Sequence, residues 1–282
     1  MPTLSISRLS RYGAAFCASL AVTGAASADT LISLQPDEAS SKDVFVYEFG
    51  VGGTLGIPTP PRTTNLDTVT LNGITPPPVP FGLFLGAANT DPQIGAQGEV
   101  RAHDAKTLIQ FDLSLLNITA ARVASASINL YALPALPPFE SPDAAHPVTI
   151  DLRRVLANWG EQSATWENQP TVAASPTSTV VQGGVDQWLS FDITGLVRDW
   201  LADPASNFGV QLAQRDVVEI EVDGVERYFG GIYASSATAD VTLRPYIAIT
   251  ATPTPVPLPP AGWLLGAALS GLGLVRRRLP SA

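Results

Sequence analysis

The side chains that could carry out catalysis are few in this chain of 282 residues. The only cysteine, Cys17, lies in a segment with the features of a cleaved signal, and no Gly-x-Ser-x-Gly motif is present. His103 and His146 lie far apart in the sequence and lack the spacing of a zinc site. The 25 acidic residues are scattered and do not indicate a glycosidase pair. We therefore expect a protein that is not an enzyme, with a polysaccharide lyase or hydrolase as a distant alternative.

Aromatic rings are the side chains best suited to holding a sugar, because a ring offers a flat apolar face and, in tryptophan, a polar N–H. The candidate ligand-binding residues are Trp159, Trp166, Arg227, Tyr228, Tyr233 and Arg244. Trp159 and Trp166 could instead pack at the core or its edge. The other four candidates, which lie between residues 227 and 244, could instead belong to an ordinary surface without a ligand. Trp188 and Trp200 flank a predicted helix and are expected in the core.

A short acidic segment late in the chain alternates carboxylates with aliphatic residues. A period of two places Glu219, Glu221 and Asp223 on one face of a strand. Such a face either discourages strand-to-strand aggregation as a solvated edge or holds a hard cation such as Ca²⁺. No other cofactor is predicted.

The elements that must position these residues are short β-strands bounded by glycine, proline and asparagine. Strands are predicted at residues 43–48, 67–71, 82–85, 107–113, 122–131, 148–155, 188–193, 209–213, 217–222, 227–233 and 243–250. Segment 122–131 alternates apolar residues with serine and asparagine, which indicates an antiparallel sheet with one buried face. A helix capped by Thr194 is predicted at 195–201, and loops at 73–80 and 132–147. The expected fold is all-β, an antiparallel β-sandwich with one short helix.

Both ends of the chain have the features of export signals. Residues 1–28 combine a positive start, an apolar run and a small-residue cleavage site at Ala26 and Ala28, which is typical of a signal peptide. Residues 252–282 combine a proline-rich spacer, a charge-free apolar helix and a basic cluster, which indicates a transmembrane sorting tail. The domain between them is residues 29–251.

The C-terminal tail carries a recognisable motif. Its residues are Val256, Pro257, Leu258, Pro259, Pro260 and Ala261, and after the apolar helix Arg276, Arg277 and Arg278. With one extra proline, this tail resembles the PEP-CTERM sorting signals in their Val-Pro-Leu-Pro-Ala variant. The resemblance implies a Gram-negative bacterium whose membrane-bound exosortase processes the tail. The helix would hold the chain in the inner membrane first, and the protein would then reach the cell envelope, surface or extracellular matrix.

The domain also carries a series of short motifs in a fixed order. They lie at residues 108–114, 124–131, 159–161, 165–170, 191–194, 207–212 and 244–249. In this order they resemble the DNRLRE domains, catalogued as carbohydrate-binding module family 96. The resemblance implies a jelly-roll-like β-sandwich, and some members of the family bind acidic polysaccharides such as alginate. The proline-rich insertion at residues 51–80 has no counterpart in the family.

The charge of the domain narrows the choice of partner. Eleven basic and 25 acidic residues give residues 29–251 a net charge of −14, which disfavours nucleic acid. An acidic polysaccharide would need a cation bridge or local arginines, so we expect a neutral glycan or a Ca²⁺-dependent contact. The sequence thus predicts an exported protein that binds polysaccharide or exopolysaccharide. A structural or adhesive matrix protein without a defined sugar site is the alternative.

Overall fold

The segment in which apolar and polar residues alternate most clearly forms the central strand of a sheet. In the computed structural model this strand runs over Val123–Leu133. Ala126, Ile128 and Leu130 are buried on its inner face, whereas Ser125 is exposed on its outer face.

The structure describes residues 29–35, 41–52, 64–65, 84–88, 93–94, 100–135, 139–222, 225–253 and 266.

Sixteen strands and one α-helix make up the described elements, apart from short 3-10 turns. In chain order they are β1 Thr30–Leu34, β2 Ser41–Gly52, β3 Thr64–Asn65, β4 Phe84–Ala87, β5 Gln93–Ile94, β6 Val100–Phe111, β7 Val123–Leu133, β8 Phe139–Glu140, β9 Val148–Arg154, β10 Ser178–Gln182, β11 Gln187–Asp192, α1 Thr194–Ala202, β12 Val210–Gln214, β13 Glu219–Val222, β14 Val225–Phe229, β15 Gly231–Ala234 and β16 Tyr246–Ala251.

Sheet A is built around β7, and all of its pairings are antiparallel. β11 pairs with one edge of β7, while β16 and β15 pair along the other edge. β4 continues the sheet beyond β15. β1 continues it beyond β16, with Thr30 opposite Ala251. The first and last strands of the described domain are therefore neighbours.

Sheet B lies on the other side of the core and has the strand order β10, β9, β12, β6, β2 and β3, with β5 also paired to β6. These pairings are antiparallel as well. A smaller sheet joins β13, β14 and β8, and its β14–β8 pair is parallel.

The two sheets pack against each other through one apolar core. Sheet A contributes Ile128, Phe191 and Ile247, and sheet B contributes Ile150 and Leu212, all at most 1% exposed. Removing this apolar surface from water is the main favourable term in folding a sandwich of this kind. The predicted antiparallel β-sandwich is thus confirmed, while its jelly-roll connectivity stays a prediction.

Helix α1 packs onto this core through Leu196, Val197 and Trp200. Thr194 was expected to cap the helix but is its first residue. Asp192 already provides an acceptor at this end, because its Oδ1 accepts hydrogen bonds from the Thr194 N–H at 2.9 Å and from the Thr194 hydroxyl at 2.6 Å.

Most of the predicted strands are present with ends shifted by a few residues. The predicted strand 227–233 is interrupted at Gly230 and forms both β14 and β15. The predicted loop 132–147 is wrong in part, because its first two residues complete β7 and Phe139–Glu140 form β8. β1, β3, β5 and β10 were not predicted.

Several sequence predictions lie outside the described residues. These are the strand at 67–71, the loop at 73–80, the signal segment 1–28 and nearly all of the tail at 252–282. Within the described part of the chain, no helix has the length and apolar character needed to cross a membrane.

On the outer side of sheet B, a buried carboxylate of β9 connects this strand to β10 and to the residue that follows β12. Asp151 of β9 accepts hydrogen bonds from Thr179 of β10 at 2.8 Å and from both Nη2 and Nε of Arg215, which follows β12. Arg153 donates to the same carboxylate at 3.3 Å. Burial acts to raise the pKa of Asp151, but the hydrogen bonds and the charge of Arg215 outweigh it and hold the pKa below its usual range.

We predict that G209A destabilises the fold more than G195A. Gly209 has φ 81°, and a Cβ there would collide with the Ile109 carbonyl and lie 2.9 Å from the Gln110 Cα. Gly195 lies in α1, and a Cβ there would meet nothing within 4 Å. Urea unfolding should show a loss of about 2 kcal/mol or more for G209A and no loss, or a gain of up to about 1 kcal/mol, for G195A. Equal midpoints for the two variants would contradict the conformation assigned to Gly209.

We predict that D151N weakens the fold in a pH-dependent way. The lowered pKa of Asp151 means that its contribution is complete above the ordinary aspartate pKa of about 3.9 and is lost as the pH falls through the lower, folded-state pKa. At neutral pH, D151N should lower the free energy of unfolding by about 2 kcal/mol. The difference from wild type should shrink in urea titrations below about pH 4. D203N, at an exposed carboxylate, is the control, and a pH-independent D151N effect would refute the assignment.

Candidate functional site

Three aromatic rings lie together on the outer face of sheet A. Trp188 of β11 packs edge-to-face against Tyr131 of β7 and Tyr246 of β16, with ring centroids 5.4 and 5.0 Å apart and interplanar angles of 74° and 76°. Trp188 is 38% exposed, although it was expected in the core. We call these three residues the aromatic triad.

The register of β7 brings the triad together. Trp188 lies directly opposite Tyr131, and Tyr246 lies opposite Asn129 on the other edge of β7. Residues opposite each other in an antiparallel pair share a face, so all four side chains point outward. Asn129 is nevertheless buried, and its Nδ2 donates to the carbonyl and hydroxyl oxygens of Ser127 at 3.3 and 3.1 Å. The rings therefore stand beside a fixed polar floor.

A shallow groove continues from this floor along the same face. Its volume is about 280 Å³. It is lined by Ser125, Ala126, Ser127, Ser190, Asp192, Thr194, Ala248 and Thr250. These residues are small, so the strands can be approached closely, and most of them carry a hydroxyl group. We call this feature the serine groove.

Helix α1 closes the groove at one end. Thr194 exchanges hydrogen bonds with the backbone of Ala126 on β7, since its hydroxyl oxygen accepts from the Ala126 N–H at 2.9 Å and lies 3.3 Å from the Ala126 carbonyl oxygen. Asp192, which binds Thr194, is exposed at this end. The position of this carboxylate is thus fixed by both the strand and the helix.

The triad and the groove together have the chemistry of a sugar-binding surface. An exposed indole offers an apolar face for a pyranose ring, and neighbouring hydroxyl and carboxylate oxygens can bond to the sugar hydroxyls. None of the described residues that form the triad or line the groove is a cysteine or a histidine, and the described residues contain no group of three or more potential metal ligands. The face thus offers the ring surface, donors and acceptors that binding a sugar requires.

A second cavity, of about 490 Å³, lies at the end of the sandwich near the last turn of α1. Its aromatic residues, Phe111 and Trp200, are both 4% exposed, so neither offers a ring face for stacking. Several of its polar groups bond to one another, as Gln110 Nε2 does to the Asn207 carbonyl and Asn207 Nδ2 to the Phe111 carbonyl. This cavity is a weaker candidate than the face of sheet A.

Trp159 lies on the opposite side of the molecule and is 7% exposed. It packs with Val44, Val46 and Leu108 on the outer face of sheet B, and its Nε1 donates to the Phe208 carbonyl at 2.9 Å. This geometry favours the packing role that the sequence left open for Trp159, because burial leaves little of its ring for a ligand.

Trp166 belongs to the same loop, residues 156–172, and is partly buried against the same cluster. The ammonium group of Lys106 lies 4.4 Å from the centroid of its ring, and that of Lys42 lies 4.9 Å from the centroid of Trp159. Cations thus lie against both tryptophans that were predicted to stack on sugar. The loop covers this part of sheet B.

The four later candidates do not form one patch. Tyr233 is fully buried, its hydroxyl donates to Gln182 Oε1 at 3.0 Å, and burial raises the pKa of that hydroxyl well above its usual value. Tyr233 is therefore corrected to a core residue. Tyr228 is 8% exposed and donates to Glu226 at 2.8 Å.

The two arginines are engaged with protein groups. Arg227 forms an ion pair with Glu140 at 2.9 Å, and the Arg244 Nε donates to the Thr238 carbonyl at 2.8 Å. Both contacts hold neighbouring strands or turns in place. Neither arginine lines the serine groove.

The proposed acidic face is only partly described. Glu219 and Glu221 are exposed on β13, and Glu221 lies opposite Glu226 of β14. Asp223 lies outside the described residues. The alternation predicted for this strand is present, and the Ca²⁺ interpretation stays a prediction.

The face of sheet A was missed by the sequence analysis, although a signal for it exists. In β11, Leu189 and Phe191 are buried, whereas Trp188, Ser190 and Asp192 are exposed. The tryptophan therefore lies on the same side of the strand as its polar residues, and this is the side that faces solvent. Its position next to the predicted helix suggested a core role and hid this pattern.

No curated protein matches this chain. The model of one family does match: carbohydrate-binding module family 96, over residues 88–227. This range includes Tyr131, Trp188 and Asp192, while Tyr246 lies beyond it. The match supports carbohydrate binding as the general class of function. Residues 88–227 of this chain are therefore similar to carbohydrate-binding module family 96.

Proposed function

We propose that this chain is an exported, non-catalytic protein that binds polysaccharide through the aromatic triad and the serine groove. The observation that carries the proposal is the exposed Trp188, which packs against two tyrosines beside a groove that is rich in hydroxyl groups. The similarity to a carbohydrate-binding family supports the same class of ligand.

The packing of the triad suits it to this task. Trp188 packs edge-to-face against Tyr131 and Tyr246, so less side-chain freedom remains to be lost when a sugar binds. The groove supplies hydrogen-bonding groups at fixed positions, because its strands are held by pairing with their neighbours in the sheet. These groups therefore do not need to rearrange when a ligand binds. A rigid, flat surface of this type fits an extended polysaccharide chain better than a small molecule that must be enclosed.

We predict that W188A loses polysaccharide binding and keeps its fold. The purified whole chain should be retarded in affinity gels that contain the polysaccharide it binds, and W188A should weaken the interaction about tenfold or more, because the stacking surface is removed. The urea midpoint should stay near that of wild type, since Trp188 is partly exposed.

Two further variants test the alternatives. W166A removes a tryptophan that the sequence analysis named as a candidate ligand-binding residue, and V181A alters an exposed side chain on sheet B. Both should bind like wild type. Loss of binding in W166A with full binding in W188A would move the site to the 156–172 loop, and no retardation by any polysaccharide would favour the structural or adhesive matrix role. Release of new reducing ends from a bound polysaccharide would indicate a lyase or hydrolase instead.

Export belongs to the same proposal. The signal-like segment 1–28 and the tail 252–282 would direct the chain through the inner membrane, where an exosortase-type enzyme would process the tail. The protein would then act in the envelope, on the surface or in the extracellular matrix of a Gram-negative bacterium. The producer's own exopolysaccharide is then the nearest polysaccharide.

We predict that replacing Pro257 and Pro259 with alanine traps the protein at the inner membrane. The two prolines belong to the motif that the processing enzyme would recognise, and alanine removes their fixed backbone conformation. Cell fractionation followed by immunoblotting measures the outcome. Replacing Pro253 and Pro255, which lie in the same spacer outside the motif, should leave release unchanged. Normal release of the Pro257 and Pro259 variant would count against the sorting assignment.

A further inference from the structure

Asp192 presents one unused acceptor to the serine groove. Its Oδ1 accepts both hydrogen bonds from Thr194, at 2.9 and 2.6 Å. Among the described residues, Oδ2 has no hydrogen-bond donor, and the side chain is exposed at the groove. One oxygen of this carboxylate thus has a structural role, and the other is available to a ligand.

The carboxylate is charged under ordinary conditions. The hydrogen bonds from the hydroxyl and backbone N–H of Thr194, and more weakly the charge of Arg198, hold the pKa of Asp192 below its usual range. The guanidinium of Arg198 is held against β7, because its Nε and Nη2 donate to the carbonyls of Val123 and Ala124 at 2.7 to 3.2 Å, and Arg198 is not among the described residues that line the groove.

No lysine or arginine is among the described residues that line the groove. The side chains of Ser125, Ser190 and Thr250 donate or accept no hydrogen bond among the described residues, and the hydroxyl of Ser127 is occupied only as an acceptor from Asn129. The ligand-facing groups are therefore neutral hydroxyls and one carboxylate. Such a set complements sugar hydroxyls, which both donate and accept.

We infer that the serine groove selects neutral glycans over anionic ones, and that Asp192 is the residue that sets this preference. Its Oδ2 accepts a hydrogen bond from a hydroxyl of a sugar ring farther along the glycan chain than the ring stacked on Trp188, because Trp188 and Asp192 are separated by about 13 Å along β11. A uronate or sulfate group in the same position would face a negative charge, with no cation among the described groove residues to offset it. This inference rests on the proposed function of the same face.

The variant D192N isolates the ligand-facing oxygen. An asparagine Oδ1 can still accept the hydrogen bonds from Thr194, so the helix start is retained, while an NH₂ group replaces Oδ2 and the charge is removed. D199N is the matched control, because Asp199 is an exposed carboxylate of the neighbouring helix α1, paired with Arg154 at 3.0 Å and absent from the groove.

The experiment compares the whole chain with both variants on two kinds of oligosaccharide. Neutral hexasaccharides of β-linked glucose and an alginate hexasaccharide are titrated by calorimetry, with and without CaCl₂. Wild type and D199N should bind a neutral probe at least tenfold more tightly than alginate. D192N should lose about tenfold in affinity for the neutral probe and discriminate less against alginate.

Each outcome bears on one of the two claims. If wild type binds alginate as tightly as any neutral probe, with or without Ca²⁺, and W188A abolishes this, the face binds glycans but the inferred selectivity is wrong. If D192N matches D199N on both probes, Asp192 does not set the preference. If no glycan of either kind binds, the proposed function fails and the inference with it. Should D192N not fold, the salt dependence of the wild-type preference decides the matter. A preference set by the charge of Asp192 should shrink as added NaCl screens that charge, and a preference that salt leaves unchanged would contradict the inference.

Discussion

The antiparallel pairing of β7 with β11 and β16 is the interaction on which the remaining structure depends. Because side chains alternate along a strand, the register that buries Ile128 in the core also sends Tyr131 to the outer face. A slip of one residue would exchange the two sets and expose the aliphatic side chains. The hydrophobic core therefore holds the aromatic triad in place, although none of its three rings belongs to that core.

The outer faces of the two sheets differ in how far they are covered. On sheet B, the loop 156–172 lays Trp159 and Trp166 over the strands, and the Asp151 network joins β9 to its neighbours. On sheet A, the corresponding area carries small residues and an exposed Trp188. Tryptophan thus stabilises the outer face of sheet B, where it is packed within a hydrophobic cluster, and remains available for binding on the outer face of sheet A, where it is partly exposed.

The fold could be predicted from the sequence because alternation is a local property. The strand and helix near β7 and α1 were recognised from ten-residue patterns, whereas β10 escaped because its exposed Val181 obscures the alternation. The candidate site could not be assembled in the same way. Tyr131, Trp188 and Tyr246 lie on three strands that meet only through pairing across β7. The buried Tyr233 was misassigned because nothing in its neighbourhood shows that Gln182 provides a partner inside the core.

The pairing of β1 with β16 affects how the domain can be made. Thr30 lies opposite Ala251, so one edge of sheet A consists of the earliest and the latest described strands of the sandwich. During synthesis from the N-terminus, β1 has no partner until almost the whole domain has been produced. Sheet A therefore cannot be complete before β16 has been produced, and until then the backbone groups of β1 lack the strand with which they pair in the folded domain.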